Sequence, residues 1–230
     1  MIDPIVYSPN PITLVGGGEA TPQDLAEALT LAPLCVAADG GLALALKAGT
    51  KLEGVIGDFD SVTAEDLARV PAARRHHIAE QESTDFDKAL SRVAAPVILG
   101  VGLLGARVDH QLAAFHTLAA RCDQPCVLLG QDEVICLAPP KVKLPTLAGD
   151  VVSLFPLSPV EGHSEGLEWP IEGLAFDPMT RIGTSNRATG PLVLQMASPA
   201  MLLILPRRLM PGLVSALGQP KSARWPARVG

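Results

Sequence analysis

The chain has 230 residues and a formal net charge of −6, with 48% hydrophobic and 18% charged residues. That is enough apolar material for a packed core and too little charge for a disordered chain. The acidic balance argues against a nucleic-acid partner, which needs a basic face, but leaves room for phosphate ligands where a bound metal supplies positive charge.

The four cysteines are Cys35, Cys122, Cys126 and Cys136. They form no CxxC pair, and three lie in apolar strand-like runs, so they read as reduced structural residues. No apolar run approaches a membrane span, and Met1-Ile2-Asp3-Pro4 lacks the basic and apolar segments of a leader. A cytoplasmic protein without a membrane partner is expected.

In chain order, residues 12–15 read as a buried strand followed by three glycines. Thr21-Pro22-Gln23-Asp24 then reads as a helix start, with Thr21 as cap, Pro22 in the first turn and Asp24 reaching back. Leu25, Ala28 and Leu29 supply that helix's apolar stripe. A strand over 34–38 ends at Asp39-Gly40-Gly41, a helix covers 42–48, and a short strand at 55–56 ends at Gly57-Asp58. Residues 84–93 read as a helix with Phe86, Ala89, Leu90 and Val93 at helical spacing. A strand at 97–99, a helix over 109–120 and strands at 126–129 and 134–137 follow.

This alternation predicts a mostly parallel, Rossmann-like sheet with helices on both faces over residues 1–140. In such sheets ligands bind beyond the carboxyl ends of the strands. From 141 to 210 the pattern changes to short strands with many Gly and Pro and no helical stripe, a small all-β domain. Its clearest strands are 151–155, 191–196 and 201–205. Residues 211–230 read as a loose tail.

Several clusters carry chemistry. Gly57-Asp58-Phe59-Asp60-Ser61 sets two carboxylates two residues apart just past a strand, a hard-oxygen arrangement suited to Mg²⁺; two turn-forming acids are the plainer alternative. In Thr84-Asp85-Phe86-Asp87-Lys88, Asp85 and Lys88 share a helix face. Asp85 could complete a metal site and Lys88 meet a phosphate as a point charge, or Thr84 and Asp85 could simply cap and complement the helix. Residues 100–105 spell GxGxxG, but the loop comes about 100 residues into the chain, so it is read as a close-approach phosphate loop rather than a dinucleotide fingerprint. Arg107 and His110 follow it. Asp39, at a strand end, could face a ribose or a metal through water. Trp169 and Ser185-Asn186 are the polar and aromatic candidates of the β domain, with core packing and a hairpin turn as their plainer readings.

Taken in order, Ala38-Asp39-Gly40-Gly41, Gly57-Asp58-Phe59-Asp60-Ser61, Gln81 with Thr84-Asp85-Phe86 and Lys88, Gly105-x-Arg107-x-Asp109-His110, Gly166-Leu167-x-Trp169 and Thr184-Ser185-Asn186 resemble the thiamine pyrophosphokinase family. The likeness runs from about residue 12 to 205. Ala106 stands where the family often has a second glycine, and Ala114 about where it often has Asn.

The resemblance implies an α/β domain that binds ATP, a C-terminal β-sandwich, and transfer of a diphosphate from ATP to the hydroxyl of thiamine. It implies Mg²⁺ held by Asp58, Asp60 and Asp85, and a nucleotide and phosphate side lined by Asp39, Gln81, Thr84, Lys88, Arg107, Asp109 and His110. Catalysis would rest on Asp58, Asp60, Asp85, Lys88 and Arg107. It implies a thiamine side lined by Trp169, Ser185 and Asn186, in a homodimer with the active site at the subunit interface. A pyrophosphokinase acting on a hydroxymethyl pterin and a non-catalytic nucleotide-binding module are the alternatives.

Overall fold

A computed structural model describes residues 3–105, 107–219 and 224–228 of the chain. Contacts divide the chain into two compact units between Thr117 and Leu118. The division falls ahead of the boundary expected at 140, for a reason visible in the strand pairing of the second unit below.

The first unit runs β1 (Val6–Tyr7), β2 (Ile12–Val15), α1 (Pro22–Leu31), β3 (Leu34–Ala38), α2 (Gly41–Lys47), β4 (Leu52–Gly57), α3 (Ala64–Ala68), β5 (Arg75–His77), α4 (Asp85–Leu90), β6 (Val93–Ala94), β7 (Ile98–Val101) and the start of α5 (Val108–Ala120). β2 pairs with β7 in parallel, Ile12 facing Ile98 and Val15 facing Val101. β3 pairs with β4 and β4 with β5, again in parallel. Every residue of β2 and β7 is buried, as strands covered on both faces require. Ile12, Leu14, Leu25, Leu42, Ile56, Leu90, Ile98 and Leu99 are fully buried, each worth roughly 1.5–3 kcal/mol of transfer free energy.

Local chemistry sets the helix starts. Thr21 caps α1 through a reciprocal capping box: its side chain accepts from the Asp24 amide, and Asp24 accepts from the Thr21 amide at 2.8 Å. At α4, Thr84 accepts from the Asp87 amide at 3.3 Å. The helix then buries Phe86, Lys88, Ala89 and Leu90. α2 begins hard against the end of β2, since a Cβ on Gly41 would lie 2.0 Å from the Val15 carbonyl oxygen.

The second unit contains β8 (Cys126–Leu129), β9 (Glu133–Leu137), β10 (Lys141–Leu144), β11 (Val151–Pro156), β12 (Gly162–Leu167), β13 (Gly183–Met196), β14 (Met201–Pro206) and α6 (Met210–Gly218). Here the strands run in the order β10-β13-β11-β14-β9-β8, with β12 also on β13, and every pairing is antiparallel. β8 and β9 were expected with the α/β part, but β9 hydrogen-bonds β14, Ile135 facing Ile204, which draws both strands into the second unit. β13 is longer than the strand expected at 191–196.

The stretch after 210, expected as a loose tail, instead forms α6. It buries Met210, Leu213, Val214 and Leu217, with proline in its first turn where the missing N–H costs nothing. Further on, the Trp225 Nε1–H donates to the Ala138 carbonyl at 2.8 Å and Arg228 Nε–H to the Ala119 carbonyl at 2.9 Å. The rest of the expected tail, 220–223 and 229–230, lies outside the described residues. All four cysteines are free and buried, and desolvation pushes the Cys35 and Cys136 thiols up to about 12. Among the described residues, no helix is long and apolar enough to cross a membrane.

Candidate active site

In the first unit, β2, β3, β4, β5 and β7 all end at one side of their sheets, and the loops that follow enclose a cleft of about 400 Å³. Its wall includes Gly16, Gly17 and Gly18 after β2, Asp58, Asp60 and Ser61 after β4, and Gln81, Thr84, Asp85 and Lys88 around the start of α4. Gly102, Gly105, Arg107, His110 and Ala114 complete it from the β7–α5 side.

Lys88 organises the charges. It is 2% exposed, and its ammonium donates to Asp58 Oδ2 at 2.7 Å and Asp85 Oδ1 at 3.3 Å. Gln81 Nε2 donates to the same Asp58 oxygen at 3.0 Å. Four residues from two loops and one helix turn therefore meet at one point.

The hydrogen bond from Lys88 holds the Asp58 carboxyl below the ordinary carboxylate range. Asp85 moves the other way: burial raises it first, the nearby Asp39 charge second, and the pull of Lys88 does not cancel them. Burial works to lower the Lys88 ammonium, but its hydrogen bonds to Asp58 and Asp85 leave it raised. The cleft thus holds a fixed cation between two acids before any ligand enters.

Among the described residues, Asp39, Asp58 and Asp60 form a carboxylate group compact enough for a cation, with one oxygen from each inside a 4.8 Å span. Asp85 was expected as the third metal ligand. It lines the same cleft but stands outside that trio, and its oxygen is turned to Lys88. Arg107 and Asp109 pair as a fork, Nε to Oδ1 at 3.1 Å and Nη2 to Oδ2 at 2.6 Å, and both are solvent-exposed. That pairing raises the Arg107 guanidinium and lowers the Asp109 carboxyl. Ala106, between Gly105 and Arg107, lies outside the described residues.

Of the three β-domain candidates, Asn186 and Trp169 meet within the second unit. Asn186 is buried; its Nδ2 donates to the Trp169 carbonyl at 2.7 Å, and its Oδ1 accepts from the Trp169 amide at 3.2 Å and the Arg187 amide at 2.8 Å. Ser185 adopts a left-handed backbone, φ 63°, and its amide donates to Ser153 Oγ at 2.9 Å. Trp169 is 55% exposed, so the core-packing reading of that residue does not hold.

Sequence reasoning passed over Gly16–Gly18 and Ser61 as parts of the wall. The signal was present in the three glycines after the first long strand, where Gly18 donates to the Gly102 carbonyl at 2.7 Å and draws two loops together.

Hard oxygen donors beside a buried ammonium, beyond the ends of parallel strands, define an α/β protein whose cleft suits a metal-bound phosphate ligand. Residues 25–128 match the family model for the catalytic domain of thiamin pyrophosphokinase. The matched segment contains every charged cleft side chain named above; Trp169, Ser185 and Asn186 lie outside it.

Thiamine pyrophosphokinase 2 of Oryza sativa subsp. japonica is 29% identical over 154 residues, covering 58% of this chain and 57% of that protein. The chain thus matches little more than half of that relative's length. Among solved structures, the thiamin pyrophosphokinase of Geobacillus thermodenitrificans superposes with a TM-score of 0.71 at 24% identity, covering 85% of this chain and 97% of that one. Those of Bacillus subtilis and Candida albicans also reach 0.71, at 23% and 15% identity, covering 86% and 87% of this chain and 99% and 92% of theirs. At these identities the structural likeness establishes a shared mixed α/β fold.

Proposed function

We propose that the chain is a thiamine pyrophosphokinase, transferring the terminal diphosphate of ATP to the hydroxyl of thiamine and releasing AMP. The observation that carries this reading is the convergence of Asp58, Gln81, Asp85 and Lys88 on one cleft, inside the segment that matches the catalytic-domain family.

Mg²⁺ fits the residues present: the donors are all carboxylate oxygens, and a compact trio of acids stands beside a cation that limits their mutual repulsion. Asp58 and Asp60 would hold the ion, with Asp85 at its edge. When bound, the metal would neutralise phosphate oxygens and so favour the charge that builds as AMP departs.

The remaining work falls to the chain itself. Lys88, fixed between Asp58 and Asp85, would hold a β-phosphate oxygen in line with the incoming hydroxyl. Catalysis of this kind is mainly positioning and electrostatics. Arg107 would leave Asp109 to reach the phosphates, and His110, Thr84 and Gln81 would fix the nucleotide side. The backbone amides of Gly16–Gly18 and of the 102–105 loop would allow phosphate to approach closely. The thiamine hydroxyl attacks the β-phosphorus, its proton passing to Asp60 or Asp85, and the bond to the α-phosphate oxygen breaks.

Trp169 would stack on the cationic thiamine rings, with Ser185 beside it. Asn186 would serve by holding the Trp169 backbone. We read the first unit as a Rossmann-like layer structure and the second as the small β-sandwich of such an enzyme, acting as a cytoplasmic homodimer with the site at the subunit interface.

The test is ATP consumption by the purified chain with thiamine and Mg²⁺ supplied or withheld one at a time. Consumption that requires both supports the reading; consumption indifferent to thiamine removes the acceptor.

A further inference from the structure

We infer that Asp39 is a positioning residue, which shapes the 57–61 turn from beneath and so aims Asp58 and Asp60 into the cleft. The family resemblance places Asp39 on the nucleotide side; the inference revises that role and rests on the cleft being the reaction site.

Asp39 follows directly on β3, is 2% exposed, and takes a left-handed backbone at φ 40°. Its own amide donates to the Ile56 carbonyl at 2.9 Å, which pins it beside the end of β4. Its carboxylate then accepts two amides of the next loop: Phe59 N–H to Oδ1 at 2.8 Å and Ser61 N–H to Oδ2 at 3.2 Å.

These amides alternate with the acids. Residues 59 and 61 turn their N–H groups down to Asp39, while Asp58 and Asp60 line the cleft. The turn needs such a hold, because Phe59 is a bulky residue at φ 65°, a conformation that persists only where its surroundings enforce it. Phe59 is steadied further by the His77 ring, with centroids 5.5 Å apart. Gly57 makes the space: a Cβ there would lie 2.8 Å from the Asp39 Cβ and 2.9 Å from Oδ1. Asp39 belongs to the compact acid trio, but both its oxygens already serve the loop, and the cleft wall passes through Ala38, Asp58, Asp60 and Ser61 without it.

The experiment is residue-resolved amide hydrogen exchange on the full chain without metal or nucleotide, a readout that does not depend on which reaction the cleft performs. Asp39→Ala is expected to speed exchange at Phe59 and Ser61 about tenfold or more, while the β2 amides stay as slow as in the unaltered chain. Asp39→Asn, which keeps one acceptor oxygen, is expected to fall between and to carry the test should the alanine variant not fold. Mn²⁺ titration of Asp39→Asn then separates the roles: retained, weakened binding fits a positioning residue. Unchanged exchange at Phe59 and Ser61 overturns the inference. So does an Asp39→Asn variant that keeps full loop protection but loses Mn²⁺ binding, because Asp39 would then be a ligand itself. Failure of thiamine to act as acceptor would leave both readouts intact.

Discussion

The cleft of the first unit and the Trp169–Asn186 corner of the second differ in what their polar side chains bind. In the cleft, side chains far apart in sequence bind one another: Lys88 reaches Asp58 across 30 positions, and Gln81 reaches it across 23. At the Trp169 corner the side chain of Asn186 satisfies backbone groups, and Trp169 itself is exposed. Charged groups held against each other inside a cavity are costly unless a ligand uses them. An amide spent on main-chain groups is ordinary structural economy. The first arrangement fits the proposed chemistry, and the second fits the holding of one aromatic surface.

Four results would break or sharpen this contrast. The largest effect should come from chelation: EDTA is expected to abolish turnover, and added Mg²⁺ to restore it, with the circular dichroism spectrum unchanged throughout. Next, Asp58→Asn should lower kcat about a thousandfold, since a metal's charge stabilisation is worth several kcal/mol. The fold should survive, because Lys88 keeps Asp85 as a partner. A variant within tenfold of the unaltered enzyme would remove Asp58 from the chemistry.

The corner should respond differently. Asn186→Ala leaves the Trp169 and Arg187 backbone groups short of a partner and is expected to cost about 1–3 kcal/mol of stability in denaturant titration. Its loss in kcat should be far smaller than that of Asp58→Asn. The smallest effect belongs to Trp169→Ala. With Trp169 more than half exposed, stability should hardly change, while the KM for thiamine rises about tenfold through lost stacking and cation–π attraction. An unchanged KM would return Trp169 to ordinary surface.

Much of the cleft was legible in the sequence because its acids follow strand ends directly. Asp58 comes one residue after β4 and Asp39 one after β3, and Thr84 announces the helix that carries Asp85 and Lys88. The capping residues of α1 were equally legible, since a capping box is written within four positions. Long-range matters were not. Nothing local told that Asp39 turns beneath the neighbouring loop, or that Asp85 faces Lys88 rather than joining the compact acid trio. The wall supplied by Gly16–Gly18 is backbone, which leaves no side-chain chemistry to read. β8 and β9 continued the alternating pattern and so were assigned by sequence order, while their hydrogen bonds go to β14 and the second unit. α6 was missed because a stretch rich in Pro, Gly, Lys and Arg was read as a loose tail; at the start of a helix, proline is a favoured residue.

Under the proposed function the cleft moves a diphosphate rather than a single phosphoryl group. Phosphorus-31 NMR of ATP, thiamine and Mg²⁺ with the purified chain tests it most directly. Thiamine diphosphate and AMP are expected to grow in step, one for one. ADP growing with thiamine monophosphate would mean attack at the γ-phosphorus and would contradict it.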